Sequence, residues 1–66
     1  MWTVVYISQS IETAGKLVQV LKENEVISRL RRANSNGEEK GSCYEVLVPL
    51  TELEAAQDLI IENELF

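Results

Sequence analysis

The spacing of apolar residues along the chain switches between the two-residue period of a strand and the 3.6-residue period of a helix. Residues 2–8, WTVVYIS, are rich in β-branched and aromatic side chains and read as a strand. Both of its parities are apolar, with Trp2, Val4 and Tyr6 on one face and Val5 and Ile7 on the other. From residue 11 the period lengthens. Ile11, Ala14, Val18 and Leu21 recur at helical spacing with Leu17 beside them. Ser10 offers an N-cap for this helix and Asn24 a left-handed C-cap. Residues 26–32, VISRLRR, alternate again and predict a second strand, Val26, Ser28 and Leu30 against Ile27, Arg29 and Arg31. The polar stretch 33–42, with Asn36-Gly37 and Gly41, reads as a loop. CYEVLVPL at 43–50 is the third strand, ended by Pro49. TELE at 51–54 has the form of a capping box, in which Thr51 and Glu54 each accept from the other's amide. Leu53, Ala56, Leu59 and Ile60 then mark the buried stripe of a second helix.

The predicted order is β-α-β-β-α, an α+β fold in a single domain over residues 1–66. A strand–helix–strand unit crosses over right-handed, which makes strands one and two parallel. The third strand then fits between them, antiparallel to both, giving sheet order 1-3-2 with two helices on one face. This is the split β-α-β arrangement of ferredoxin-like folds, truncated, with the last strand absent or reduced to ELF at 64–66. Strand two is an edge, and strand one is another unless the tail or a second subunit pairs with it.

Composition narrows the function mainly by exclusion. Eleven acidic residues outnumber six basic ones, and the net charge of −5 works against nucleic acid or an anionic membrane as partner. The absence of histidine removes the commonest zinc ligand and the side chain best suited to proton transfer near neutrality. One cysteine, Cys43, forms no internal disulfide and reads as a small hydrophobe. No catalytic residue, metal site or cofactor is expected. A chain this short buries only about 60% of its unfolded surface, so association with a second copy is the expected support. The longest apolar run falls far short of the ~20 residues that span a bilayer. The first residues carry no basic, small-residue leader pattern, and together with the free cysteine this gives a cytoplasmic expectation.

Two sets of residues are candidates for function. Three of the six basic residues fall within residues 29–32, RLRR. Arginines on an edge strand guard it against pairing with other chains. The alternative is an anion site made by Arg29, Arg31, Arg32 and Lys40 with the loop amides around residues 34–37. A third use is internal, with Glu45 on the neighbouring strand pairing Arg29 or Arg31. The second set is Trp2, Val4, Tyr6, Ile27 and Leu47, which form an apolar interface if strand one turns that parity away from the helices. With the opposite parity they are ordinary core. The function expected is a non-enzymatic interaction or regulatory module, a homodimer or a binder of another protein through the open sheet face or the strand-one edge. The alternative is a small-anion sensor built on the arginines.

The opening V-V-Y-I, the leucine-rich first helix, and Val48-Pro49 followed by Ala55 resemble a family of small bacterial domains labelled as signal-transducing proteins of unknown function. The resemblance spans nearly the whole chain and implies a βαββα fold like half of a signalling-protein plait. It carries over no functional residues. Members typically have glycine where this chain has Glu25 or Val26. Some carry the name of a decarboxylase, an activity that needs a cofactor-binding lysine in a large fold which 66 residues cannot enclose.

Overall fold

A computed structural model describes residues 1–33 and 43–65. Strand β1 (Trp2–Ser8) leads into helix α1 (Ile11–Glu23), followed by β2 (Arg29–Ala33) and β3 (Cys43–Pro49). A 3₁₀ turn over Leu50–Glu52 then opens helix α2 (Leu53–Glu62). The sheet runs β1-β3-β2, and β3 is antiparallel to both neighbours. β1 and β2 are therefore parallel. The chain is thus an α+β fold with the expected order and strand directions.

Both helices pack on one face of the sheet. Val46 and Val48 of β3 share a core with Ala14, Leu17 and Leu21 of α1, and with Ala56 and Ile60 of α2. Leu17, Leu21, Val46 and Val48 are fully buried. Each contributes roughly 1.5–3 kcal/mol of transfer free energy, a large part of what a domain this small retains. Val5, Tyr6, Tyr44, Leu53 and Leu59 pack around this cluster half-buried. Ser10 caps α1 as the sequence predicts, its hydroxyl accepting from the Thr13 amide at 3.3 Å.

Two local expectations change, and the C-terminus takes one of its two alternatives. The capping box does not form. Pro49 leads directly into the 3₁₀ turn, and Thr51 lies within that turn rather than in the extended conformation an N-cap needs. Glu52 takes the N-cap place of α2 without a side-chain cap bond. Strand β2 begins at Arg29 instead of residue 26, because Val26 is drawn into the core at the end of α1. No fourth strand forms through Leu65, while Phe66 lies outside the described residues.

The helix ends follow a rule that reading by period alone does not find. Residues 23–26 are Glu-Asn-Glu-Val and residues 62–65 are Glu-Asn-Glu-Leu, so both helices stop on one short repeated signal. In each, the asparagine amide donates to the carbonyl four residues back, Asn24 to Val20 at 2.8 Å and Asn63 to Leu59 at 2.9 Å. The next glutamate, not the asparagine, takes the left-handed conformation, with φ 63° at Glu25 and 55° at Glu64. Paired backbone bonds then close each end: Glu25 to Lys22 and Val26 to Leu21, Glu64 to Ile61 and Leu65 to Ile60. This is a Schellman termination, and the apolar residue after the glutamate returns to the core in both cases.

A non-glycine residue in the left-handed region costs roughly 1–2 kcal/mol. Glu25→Gly is therefore expected to raise unfolding free energy by about 0.5–1 kcal/mol in urea titration, the loss of chain stiffness offsetting part of the relief. A fall in stability would show that the Glu25 side chain contributes more than its backbone strain removes.

Candidate functional site

The sheet face away from the helices is built by one irregularity in β1. Trp2, Thr3 and Val4 pair with Pro49, Val48 and Leu47 in turn, but Tyr6 pairs with Val46, leaving Val5 as an extra residue. A bulge of this kind places two residues opposite one and resets the alternation of side chains. Val5 and Tyr6 both pack against the helix-side core. Trp2 and Val4 before the bulge, and Ile7 after it, share the parity of Glu45 and Leu47 on the open face. Neither uniform parity expected from the sequence holds, since β1 uses one before residue 5 and the other after it.

The expected interface set is corrected accordingly. Trp2, Val4 and Leu47 lie on the open face. Tyr6 does not, because the bulge turns it beneath α2, where its hydroxyl donates to the Leu65 carbonyl. Ile27 precedes β2 and is exposed at the corner beside Val18 and Lys22, so it is not part of the sheet face. Ile7 is the member that simple alternation assigned to the core. It is 60% exposed. No glycine or proline near residue 5 signals the bulge, and the pairing partners alone reveal it.

Across the sheet, Arg29 and Arg31 of β2 lie opposite Leu47 and Glu45, and so share the open face. The Arg29 guanidinium sits 4.2 Å from the centroid of the Trp2 ring, reaching over β3 to do so. Leu47 is only 8% exposed although neither α1 nor α2 covers this side. It is flanked by Val4 and Arg29 in the register, and the Trp2–Arg29 stack spans the strand that carries it. The stack therefore acts as a partial roof over the centre of the face. Arg31 donates through Nε and Nη2 to Glu45 Oε1 at 2.8 and 2.6 Å. The arginine is 59% and the carboxylate 19% exposed, so the pair contributes about 1 kcal/mol at most.

These contacts bear on the arginine cluster. Arg29 is stacked on an aromatic ring and Arg31 is neutralised by Glu45. Arg32 pairs with Tyr44, on the opposite parity from the other two. Lys40 and the loop amides lie outside the described residues. The three described arginines are thus divided between the two sides of the sheet. Cys43 pairs with Ala33 at the margin of the sheet and is half-buried. Among the described residues no cluster of three or more His, Cys, Asp or Glu stands close enough to hold a metal ion, and no helix is long and apolar enough to cross a membrane.

Trp2 is the sole tryptophan, so its emission reports the stack directly. Arg29→Ala is expected to change Trp2 emission and to lower stability by about 0.5–1 kcal/mol, read from fluorescence and denaturant titration together. Unchanged emission would mean that the guanidinium does not rest on the indole in solution. No family model, no curated protein and no solved structure matches the chain, so the resemblance noted from its sequence rests on those residues alone.

Proposed function

We propose that the protein is a non-enzymatic interaction module that self-associates through its open sheet face. The observation that carries this is the set Trp2, Val4, Ile7 and Leu47 on a face that neither α1 nor α2 covers. Aromatic residues and arginine are the side chains most enriched at the centres of protein interfaces, and Trp2 with Arg29 supplies both. Charge points the same way. Among the described residues, the helices and their connections carry eight carboxylates against two lysines. Among the same described residues the open face carries Arg29, Arg31 and a single carboxylate, Glu45. Two acidic chains therefore meet with least repulsion sheet to sheet, and both signs on one face suit an isologous two-fold contact.

The edge of β1 is a weaker candidate for self-association, because bulges are among the devices by which edge strands avoid pairing. The anion-sensor reading has less support still, with Arg31 committed to Glu45 and Arg32 on the other parity.

Sedimentation equilibrium at micromolar concentration is expected to give a dimer. Ile7→Lys, at a position already exposed in the protomer, is expected to shift it to monomer while preserving the circular dichroism spectrum. A wild-type chain that stays monomeric to millimolar concentration removes the reading.

A further inference from the structure

Strand β2 has a neighbour on one side only among the described residues, since β3 lies between it and β1. Part of its backbone N–H and C=O groups therefore point outward, the template from which a sheet is extended. Its side chains divide by parity. Arg29 and Arg31 lie opposite Leu47 and Glu45 and take the open face. Leu30 lies opposite the buried Val46 and takes the helix side, yet it stays 43% exposed. Just before the strand, the exposed Ile27 lines a hollow of about 400 Å³ with Val18, Lys22, Glu25, Val26 and Ser28. Neither open-face arginine is used up by its contact. The Arg29 guanidinium stacks on Trp2, and a stacked guanidinium keeps its in-plane N–H donors. Arg31 gives Nε and Nη2 to Glu45, which leaves Nη1 as a donor. Arg32 shares the parity of Leu30 and carries no weight here, having an interaction of its own. A second copy suits this edge badly. In an antiparallel pairing of two β2 strands about Leu30, Arg29 would face Arg31 twice, and like charges directly opposite destabilise a ladder.

We propose that the outer side of β2 seats an extended segment of another protein in which acidic and apolar residues alternate. The segment adds a strand to the sheet through backbone bonds. Its residues opposite Arg29 and Arg31 are Asp or Glu and lie on the open face. The residue between them is apolar and covers Leu30 on the helix side. Directly opposed residues in a ladder share a face, so the two-residue period of the segment matches that of β2. The ladder supplies affinity and the side chains supply selectivity, as in other cases of strand addition. The arginines that bar a basic or identical edge admit an acidic one, so guarding and recognition are a single device.

The test is NMR titration of the full chain with a blocked heptapeptide that alternates glutamate with valine and leucine. Saturable shifts are expected at the backbone amides of residues 29–32 and the Leu30 methyls, with slowed hydrogen exchange at the outward amides of β2. Arg31→Gln, at an exposed position, is expected to weaken binding about twofold to fivefold. The Arg29→Glu, Arg31→Glu double change is expected to reverse the preference, towards a peptide with lysine in place of glutamate. The proposal is overturned by absence of shifts at millimolar peptide, by equal binding of the lysine peptide to the wild-type chain, or by shifts without slowed exchange in β2, which mark charge attraction alone. It is equally overturned if the same amides become protected on raising protein concentration without peptide, which makes a second copy the occupant. The Ile7→Lys chain is expected to bind the peptide as the wild type does, so failure of the open-face dimer and failure of this edge are read separately.

Discussion

Everything in this small domain is fastened to β3. Among the described residues it is the one strand hydrogen-bonded on both sides, and three consecutive residues, Val46, Leu47 and Val48, are buried along it. Successive side chains of a strand point to opposite faces, so consecutive burial requires cover on both. Two helices supply it for Val46 and Val48, whereas Leu47 relies on its neighbours in the sheet and on a stack of Trp2 with Arg29. Among the described residues, one side is therefore closed by an ordinary apolar core and the other is covered at its centre by two side chains. That asymmetry separates a surface available to partners from one that is not.

Much of the fold is legible in the residues. The change of period between 2–8 and 11–21 separates β1 from α1, Ser10 stops and starts them, and the crossover rule orders the strands. The parts that are not legible share a physical cause, in that each depends on how one element meets another. A capping box at 51–54 is sound as local chemistry, yet the path out of Pro49 places Thr51 inside a turn. Asn24 is a reasonable left-handed residue on propensity, but its amide is used on Val20 and the next residue makes the turn. The shared Glu-Asn-Glu ending is visible in the sequence once both helix ends are aligned, a signal that periodicity does not register.

The candidate site is less legible than the fold, since sites depend on parity and parity depends on an unbroken count. Trp2, Val4 and Leu47 come out on one face by alternation. Tyr6 and Ile7 exchange sides because one residue of β1 has no partner in β3. The arginine run reads as a cluster in one dimension. In the sheet its members have separate tasks, one on an indole and one on a carboxylate, with the third across the strand.

Val5 has a consequence for how this chain tolerates change in length. It is supernumerary in the ladder, so removing it would let Val4 and Tyr6 follow one another in regular alternation without either leaving its present side. Trp2, Ile7 and Ser8 would likewise keep their sides. A one-residue deletion usually inverts every side chain beyond it in a strand. Here it would spare the alternation of the sheet, and its cost would be the packing that Val5 adds to the helix-side core.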